Sequence, residues 1–364
     1  PKTMQPKACD YTIGTMFERH VHIVLGQIVG SESAFSIIAT MKLVRYIKKF
    51  NPDIVQLHNI HQYYLNYDIL MRYLKEFKGK VVWTFHDCWP YTGACHHYTE
   101  EKCDKWKNGC SDCPYIKKKK RKPIVDLSSK LFFEKKKAAE QIRELYIVTP
   151  SEWLADEVRK SFYKEHQVTV ISNGIDTDVF CDRGDSIKEK YGIVDKKIVL
   201  GVASHWSENK GLRDFEQLAG MLNDNYQIVL IGVDQAKQTN KRILYLPRTA
   251  NKDELARWYS AADVYCNLST EETFGLVVAE AMACGTPVIV YDSTALPELI
   301  IGTNSYSCTP HDLTDVAAKI ETICWNGKEM YSKICREKVL ESYCSKDTAQ
   351  KYVDLYRRIL EGKK

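Results

Sequence analysis

The sequence predicts an α/β protein made of two domains, each with a parallel sheet covered by helices. Short runs rich in β-branched residues alternate with segments of helical period, which is the pattern of parallel strands joined by helical crossovers. The chain has 364 residues, more than one hydrophobic core usually serves, so about two domains are expected. Hydrophobic residues make up 44% and charged residues 27% of the sequence, and these proportions argue against a disordered, collagen-like or coiled-coil chain.

Nine buried strands are predicted, in two sets. Helical segments separate most of them, which favours right-handed crossovers between parallel strands. The predicted strands are 53–58, 81–86, 146–149 and 168–171 in the first set, and 198–201, 227–232, 243–246, 264–267 and 287–291 in the second set. Apolar residues at helical spacing also predict a last helix over 345–360.

The boundary between the two domains is predicted near residue 173. Asn173-Gly174 tolerates a positive φ, and the polar stretch 181–186 follows it, so both features favour a connection. We expect a first domain over 1–172, a second domain over 173–344 and a C-terminal helix over 345–364 that returns to the first domain.

Charge and cysteine content narrow the class of protein. The net charge of +5 is too small to indicate nucleic acid binding by itself. The thirteen cysteines are spread over a large chain, and most adjoin apolar strand residues, which is typical of reduced cysteines in the cytoplasm. We therefore expect a cytoplasmic protein that binds no nucleic acid.

The most informative segment is residues 269–290. A strand comes first, two acidic residues follow, and a helix begins near Gly275. The backbone amides of Phe274, Gly275 and Leu276 are therefore expected at a helix N-terminus and at the carboxyl end of a parallel strand. Open α/β sheets bind phosphate at such places.

Two acidic residues flank this helix start, Glu272 and Glu280, eight positions apart. One could accept hydrogen bonds from sugar hydroxyls and the other from a ribose. The alternative is that both acids only favour the N-terminal half of the helix. For Glu272 alone that alternative is preferred, but the whole segment favours a binding site.

The segment resembles the signature of family 4 retaining glycosyltransferases, in which two glutamates are separated by seven residues. The fold of that family is GT-B, with two Rossmann-like doubly wound domains facing a central cleft. The resemblance implies that Glu280 binds the ribose of a nucleotide sugar and that Glu272 contacts the donor sugar. It also implies that the amides of residues 274–276 and one lysine hold the diphosphate. Asn209-Lys210-Gly211 matches that lysine, which follows the first strand of the second domain.

The chain departs from the family in one part of the predicted donor site. The family usually has an arginine some five residues before the lysine, where this chain has Ser204-His-Trp-Ser-Glu208. One phosphate cation is therefore unaccounted for. His205 could replace this cation only in part, because an exposed histidine is mostly neutral near pH 7. We assign Ser204, His205 and Asn173 to donor binding.

The first domain places polar residues at the ends of two predicted strands. The resemblance implies that His86 lies beside the donor sugar and the leaving phosphate. A buried histidine bonded to a backbone carbonyl is the alternative. His58 and Asn59 end the preceding strand on the same side of the sheet, and with Asp87 they are expected to line the acceptor site. A structural role is the alternative for His58 and Asn59.

The loop between residues 88 and 113 resembles a subgroup of the family that makes exopolysaccharides, including colanic acid. Four of its cysteines have a spacing that suits tetrahedral structural zinc: Cys95, Cys103, Cys110 and Cys113. A loop of reduced thiols and a pair of disulfides are the alternatives. His96 and His97 are substitute ligands if one cysteine points away.

Six consecutive basic residues, Lys117–Lys122, follow this loop. Such a run is usually a solvated surface. The acceptor of a polysaccharide glycosyltransferase is commonly a polyprenyl diphosphate sugar, however, and a cation near an anionic membrane surface contributes about 1 kcal/mol. We therefore expect peripheral association with the inner face of the cytoplasmic membrane.

The start of the chain differs from a complete first domain of the GT-B fold. Such domains normally begin with a strand, a glycine-rich loop and a helix, and residues 1–31 contain no such unit. The resemblance extends from about Phe35 to the end. We therefore expect an N-terminally shortened member of the family.

The resemblance implies a retaining, metal-independent glycosyltransferase that acts in surface polysaccharide synthesis. It would move a sugar from a nucleotide diphosphate sugar to a lipid-linked or growing saccharide. In a front-side reaction the leaving diphosphate takes the acceptor proton, so the protein supplies charge stabilisation and orientation. Lys210 and the amides of Gly275 and Leu276 would stabilise the diphosphate, while His86 and Glu272 orient the sugar.

Three other functions remain open at this point. An epimerase or phosphorylase of the same fold would use the same site for different chemistry. An inactive relic would bind a nucleotide sugar without turnover. A nucleic acid binder built on the cysteine loop and the lysine run is disfavoured by the small net charge. No catalytic cofactor is expected.

Overall fold

The chain forms two compact units, as seen in a computed structural model that describes residues 11–118, 123–233 and 240–362. Among the described residues, unit 1 comprises 11–118, 123–149, 155–170 and 356–362. Unit 2 comprises 150–154, 171–233 and 240–355. The main division between the units lies just before Asn173, in the segment where the sequence changes from one strand set to the other.

Unit 1 contains a four-stranded parallel sheet whose strands pair in sequence order. The strands are β1 (Ile54–Leu57), β2 (Lys80–Thr84), β3 (Leu145–Thr149) and β4 (Gln167–Val170). The helices are α1 (Met16–Val29), α2 (Ile37–Phe50), α3 (Tyr67–Glu76), α4 (Pro114–Lys118), α5 (Ser128–Gln141) and α6 (Glu152–Lys160), the last of which begins in unit 2. Because all strands run in one direction, the residues that follow β1 and β2 meet at one edge of the sheet.

Unit 2 contains a six-stranded sheet in the order β10-β9-β8-β5-β6-β7, with every pair parallel. The strands are β5 (Lys197–Val202), β6 (Tyr226–Ile231), β7 (Ile243–Leu246), β8 (Val264–Asn267), β9 (Val288–Tyr291) and β10 (Tyr306–Cys308). The chain starts at β5, runs outward to β7, then returns to β8 and runs outward to β10. The reversal between β5 and β8 is the topological switch point of a doubly wound sheet, where such sheets bind ligands.

Helices cover both faces of the unit 2 sheet, so its central strands are mostly apolar. Every residue of β8 and β9 is buried, as expected for parallel strands covered on both sides. The helices are α7 (Ile187–Lys190), α8 (Leu212–Met221), α9 (Lys252–Ala261), α10 (Leu276–Ala283), α11 (Leu296–Ile300), α12 (Leu313–Asn326), α13 (Glu329–Ser342) and α14 (Ser345–Leu360).

The structure confirms the predicted fold class and all nine predicted strands. The last predicted helix is also confirmed, as α14. One strand, β10, was not predicted, because it has three residues and no β-branched run. It pairs with β9 at the edge of the sheet. Among the residues that the structure describes, no helix is both long enough and apolar enough to cross a membrane.

Candidate functional site

The first group of candidate residues lies at the carboxyl ends of β5 and β8, at the switch point of the unit 2 sheet. Lys210 lies in the loop after β5, and its Nζ donates a hydrogen bond of 2.6 Å to Oε1 of Glu272, in the loop after β8. The two side chains are 34% and 19% exposed, so solvent reaches both. We call this pair, together with the N-terminus of α10 and Glu280, the unit 2 site.

Hydrogen bonds join the two loops that carry this pair. The backbone N–H of Thr270 donates to the carbonyl of Asn209 at 3.0 Å. The Asn209 side chain donates to Oε2 of the buried Glu271 at 3.1 Å, and Lys210 Nζ lies 3.4 Å from the Glu271 carbonyl. The position of Lys210 is therefore set by the neighbouring loop as well as by its own.

Gly211 allows the close approach of these two loops. Its φ is +76°, and a β-carbon at this position would lie 2.5 Å from the backbone oxygen of Leu268. Any other residue would clash with the end of β8 and would strain the backbone. Glycine is therefore required after Lys210 for the two loops to approach each other. This approach keeps the Lys210 ammonium beside the switch point.

Helix α10 begins at Leu276, next to the predicted start. Its N-cap is Gly275, with φ +97°, and no side chain caps this end. The first amides of a helix have no partner within the helix, so they are available to an anion. A β-carbon at Gly275 would lie 3.0 Å from side-chain atoms of Leu296 and Leu299, so the glycine lets the helix start pack against α11. The Phe274 side chain is buried and packs on Tyr343 with ring centroids 5.5 Å apart.

Glu280 lies on α10, one helical turn beyond Leu276. The Tyr259 hydroxyl donates a hydrogen bond of 3.1 Å to Oε2 of Glu280. Burial raises the pKa of Glu280 to about 7, against the opposing effect of this hydrogen bond. A ligand hydroxyl that donates a hydrogen bond to the charged carboxylate would therefore stabilise it more here than at an exposed glutamate.

The loop after β9 also supports the unit 2 site. Sequence reasoning missed the contribution of this loop. The Thr294 hydroxyl accepts a hydrogen bond of 2.9 Å from the backbone N–H of Glu272, and Ala295 N–H donates to the Glu272 carbonyl at 3.2 Å. Thr294 adopts a positive φ of 51°. Its position in the sequence could have indicated this role, because the loop follows β9, the strand beside β8.

A second cation near the carboxyl edge of the unit 2 sheet was also missed. Arg248 follows β7, and its guanidinium donates hydrogen bonds to the Ser204 carbonyl, one of them at 3.0 Å from Nε. Ser204 and His205 are exposed. The sequence lacks an arginine in the loop after β5, and the structure brings one there from a distant loop. Asn173 is partly buried in the segment that opens the main part of unit 2.

In unit 1, the ends of β1 and β2 bring His58 and His86 together. Nδ1 of His58 lies 2.9 Å from Nε2 of His86, and the two rings stack with centroids 5.2 Å apart. Burial lowers the pKa of His86 to about 4, so this imidazole is neutral at pH 7. Asn59 is exposed, and its carbonyl accepts a hydrogen bond of 2.5 Å from the Tyr64 hydroxyl.

Asp87 connects this pair to a second group of polar side chains. Its Oδ1 accepts a hydrogen bond of 2.9 Å from the Trp89 N–H. Its Oδ2 lies 3.0 Å from His61 Nε2 and 3.0 Å from His96 Nδ1. Both imidazoles also face Glu32, at 3.7 Å from His61 Nδ1 and 3.4 Å from His96 Nε2. We call Glu32, His61, Asp87 and His96 the histidine–carboxylate cluster.

Charge interactions dominate the pKa shifts of Asp87 and His96. Burial would raise the pKa of Asp87, but the contacts with His61 and His96 outweigh it and hold that pKa well below its usual range. Burial would likewise lower the pKa of His96, but Asp87 and Glu32 raise it to about 9. Sequence reasoning assigned no role to His61 or Glu32, because the four residues are far apart in the chain.

The cysteine loop packs against α5 within unit 1. Cys95, Cys110 and Cys113 are buried and Cys103 is partly exposed, and the twelve cysteines in the described ranges are free. Burial raises the pKa of the Cys110 thiol to about 11, and its Sγ accepts a hydrogen bond of 3.2 Å from the Gly93 N–H. Zinc at these cysteines stays a prediction. His96 points to the histidine–carboxylate cluster.

The lysine run falls mostly outside the described residues, which omit 119–122. Lys117 forms an ion pair with Asp112 at 2.6 Å, and Lys118 forms one with Glu101 at 3.2 Å. These acidic partners reduce the local positive charge, so the membrane role of the run stays a prediction.

Two protein family models match the chain in succession. The model described as Glycosyltransferase Family 4 matches residues 14–179, and the model described as Glycosyl transferases group 1 matches residues 184–337. The WcaC glycosyl transferase of Escherichia coli K12, named for colanic acid biosynthesis, is 25% identical over 68% of this chain and 62% of its own length. N-acetyl-alpha-D-glucosaminyl L-malate synthase of Bacillus anthracis is 26% identical over 60% of this chain and 61% of its own length. The chain therefore spans about three fifths of the length of the curated relatives it matches.

Solved structures with the same fold include two that align with most of the chain. Sucrose-phosphate synthase from Thermosynechococcus elongatus superposes with a TM-score of 0.68 at 19% identity, covering 89% of this chain and 79% of the other. HepE from Anabaena, in complex with UDP, superposes with a TM-score of 0.65 at 15% identity, covering 88% and 82%. At these identities the likeness shows the fold alone.

Proposed function

We propose that this chain, a glycosyltransferase of the family 4 and group 1 type with the GT-B fold, transfers a sugar from a nucleotide diphosphate sugar to a saccharide with retention of configuration. The main support for the proposal is a group of residues at the topological switch point of the unit 2 sheet. This group contains Lys210, Glu272 and the uncapped start of α10. A doubly wound sheet binds nucleotides at this place.

The diphosphate of the donor would bind to Lys210 and to the amides of Gly275 and Leu276. The ammonium supplies a full positive charge, and the helix start supplies N–H donors and the positive end of the helix dipole. Lys210 forms an ion pair with Glu272 at 2.6 Å. A diphosphate bound to Lys210 would therefore lie next to the Glu272 carboxylate. Glu272 is then placed to accept hydrogen bonds from the hydroxyls of the attached sugar.

The ribose would bind at Glu280. This residue is four positions beyond Leu276, so the two lie on one face of α10, about 6 Å apart along the helix axis. A ribose joined to a diphosphate at the helix start can reach that position. A nucleotide donor is also supported by HepE, which has been solved with UDP and with UDP-glucose.

Arg248 would supply the second phosphate cation. The loop after β5 lacks the arginine expected from the family resemblance, and Arg248 brings a guanidinium to the Ser204 carbonyl in that loop. Replacing Arg248 by alanine should weaken nucleoside diphosphate binding, while replacing Arg257, which pairs with Asp253 on α9, should not. Equal affinities in both variants would remove Arg248 from the site.

The reaction would follow a front-side course, without a protein base and without a metal on the diphosphate. The leaving diphosphate takes the acceptor proton, and Lys210 and the α10 amides stabilise the charge that develops on it. His86, neutral at pH 7 because burial lowers its pKa to about 4, would orient the sugar through hydrogen bonds. Its role is therefore positioning rather than charge stabilisation.

The acceptor would be a lipid-linked or growing saccharide in surface polysaccharide synthesis, bound to unit 1 near His58, Asn59 and Asp87. The similarity to WcaC, named for colanic acid biosynthesis, supports a saccharide acceptor of this class. A lipid-linked acceptor would place the protein at the inner face of the cytoplasmic membrane, with the basic run Lys117–Lys122 towards the anionic lipids.

A two-step experiment tests the proposal. Isothermal calorimetry with UDP, GDP and the matching nucleosides should show binding that depends on the diphosphate. NMR of the corresponding nucleotide sugars should then show release of a sugar, initially in the anomeric form of the donor. Binding without turnover would indicate an inactive relic, an epimerised nucleotide sugar would indicate an epimerase, and the absence of diphosphate-dependent binding would overturn the proposal.

A further inference from the structure

The histidine–carboxylate cluster of unit 1 has the composition and spacing of a metal site. The ligand atoms of Glu32, His61 and His96 all lie within 4.8 Å of one another. We propose that these three side chains bind a divalent cation of the zinc type, with Asp87 as the residue that orients both histidines. Metal binding here does not depend on glycosyl transfer.

The distances to Glu32 suit shared ligation of one ion. His96 Nε2 forms a long hydrogen bond of 3.4 Å with Oε1, and His61 Nδ1 lies 3.7 Å from Oε2, beyond hydrogen-bonding distance. Ligands held tetrahedrally at about 2.0–2.1 Å from zinc are about 3.3–3.4 Å apart, so small side-chain rotations bring all three onto one ion.

Asp87 contacts the histidine nitrogens that do not face Glu32. Its Oδ2 lies 3.0 Å from His61 Nε2 and 3.0 Å from His96 Nδ1, and the Trp89 N–H holds its Oδ1 at 2.9 Å. A carboxylate behind a metal-bound histidine fixes the proton on the outer nitrogen and leaves the inner lone pair for the metal. Asp87 is hydrogen-bonded in this way to His96, and a small rotation of the His61 ring would align its 3.0 Å contact with the same carboxylate.

His61 gives independent support for a ligand at this position. The side chain is 3% exposed and packs on the Trp89 ring with centroids 5.1 Å apart. Nδ1 is buried and makes no hydrogen bond to any residue that the structure describes, and the Nε2 contact with Asp87 is not aligned as a hydrogen bond. A buried polar atom without a partner requires an explanation, and a cation on Nδ1 provides one.

Charge and donor type identify the class of cation. Glu32 and Asp87 together carry two negative charges, which a divalent cation balances when both imidazoles are neutral. Two imidazoles and one carboxylate are the ligands of zinc sites that keep an open fourth position, whereas Ca²⁺ and Mg²⁺ prefer all-oxygen sites.

A cavity gives access to this site. Its volume is about 320 Å³, and its lining includes Glu32, Tyr63 and Trp89. The fourth position of the ion would therefore take an oxygen ligand from this cavity. Proton sharing, with a charged His96 bridging Glu32 and Asp87, is the competing explanation of the same contacts.

Cobalt titration of the full chain, after removal of metals by chelator, separates these explanations. Co²⁺ at the cluster should bind with about one equivalent and give visible d–d absorption without a thiolate charge-transfer band, since its ligands are nitrogen and oxygen. Co²⁺ at the cysteine loop would give the thiolate band instead. Protein that binds no cobalt, or binds it only with the thiolate band, would overturn the proposal.

Matched variants locate the ion. Glu32→Gln and His61→Gln should weaken cobalt binding by more than about 100-fold, and Asp87→Asn by about 10- to 100-fold, as other outer carboxylates do. His97→Gln, one residue beyond the cluster, and Cys110→Ser should leave the nitrogen–oxygen spectrum unchanged. Circular dichroism reports whether each variant folds. If His61→Gln does not fold, Glu32→Gln decides, because Glu32 is 18% exposed at the cavity. Unchanged cobalt binding in a folded Glu32→Gln protein would contradict the assignment.

Discussion

The two units place polar residues at equivalent edges of their sheets but use different chemistry there. The unit 2 site combines an ammonium, an uncapped helix start and carboxylates, with Lys210 and Glu272 2.6 Å apart. The strand ends of unit 1 carry imidazoles, with His58 and His86 2.9 Å apart and two more histidines beside Asp87. The first arrangement suits a phosphate anion, and the second suits neutral hydroxyls and a cation.

Sheet topology therefore fixes where a site lies, while the loop residues fix what it binds. If the units divide the reaction as proposed, variants in unit 2 should change donor affinity, and variants in unit 1 should change turnover at constant donor affinity. The following variants test that division.

His86→Ala should lower kcat by about 100-fold, because a misplacement of the reacting sugar by about 1 Å can reduce the rate by that factor. The dissociation constant of the donor nucleotide should stay unchanged, since the nucleotide is assigned to unit 2. Steady-state kinetics and calorimetry measure the two quantities. His20→Ala, an exposed position on α1, is the control. Parallel losses of turnover and nucleotide affinity would break the division between the units.

Lys210→Ala should weaken nucleoside diphosphate binding by about 10- to 100-fold, because a charge-assisted hydrogen bond contributes about 1.5–3 kcal/mol. Binding of the nucleoside alone should barely change. Calorimetry with both ligands measures this, and Lys333→Ala, an 86% exposed lysine on α13, is the control. Equal losses for nucleoside and nucleoside diphosphate would move Lys210 out of the phosphate site.

Glu280→Gln should raise the free energy of unfolding by about 1–3 kcal/mol at pH 8 and leave it unchanged near pH 4.5. Burial raises the pKa of Glu280 from 4.5 to about 7 in the folded state. The folded protein therefore binds this proton more tightly than the unfolded chain, and the associated stability is lost as the pH rises through 7. Glutamine removes that loss, but it also removes the charge and should weaken nucleotide binding.

Urea unfolding at both pH values, with calorimetry at pH 8, checks the Glu280 prediction. Glu337→Gln, a half-exposed position on α13, should show neither change. A variant that is less stable than the parent at pH 8 would mean that a fixed partner compensates the buried charge.

Gly211→Ala should lower the free energy of unfolding by about 1–3 kcal/mol, because it adds a clash to a positive φ. Gly192→Ala, at φ +65° with nothing within 4 Å of the added carbon, should cost only the backbone strain. Thermal unfolding compares the two. Equal losses would show that the contact with the Leu268 carbonyl relaxes freely.

The unit 2 site was largely predictable from sequence, because most of it is local. Glu272, the helix start and Glu280 lie within one segment of the chain, where strand, turn and helix signals follow in order. The fold of unit 2 was predictable for the same reason, apart from β10, whose three residues carry no periodic signal. Arg248 was not predictable, since only the pairing of β5, β6 and β7 brings it to Ser204.

The histidine–carboxylate cluster shows the limit of sequence reasoning. Its members come from the loop after α1, the ends of β1 and β2, and the cysteine loop, and no spacing links them. His96 was considered as a substitute ligand for the cysteines, but it contacts Asp87 and Glu32 instead. Only tertiary packing decides between these two environments for a histidine next to a cysteine.

The hydrogen bonds between the Asn209 and Thr270 loops have a consequence for the thermodynamics of ligand capture. A loop that becomes ordered on binding loses conformational entropy at that moment, and the loss lowers affinity. Here Thr270 N–H and the Asn209 side chain already fix both loops within the folded unit. The entropy of ordering them is lost during folding, so an incoming nucleotide meets a rigid surface and keeps more of its interaction enthalpy as net affinity.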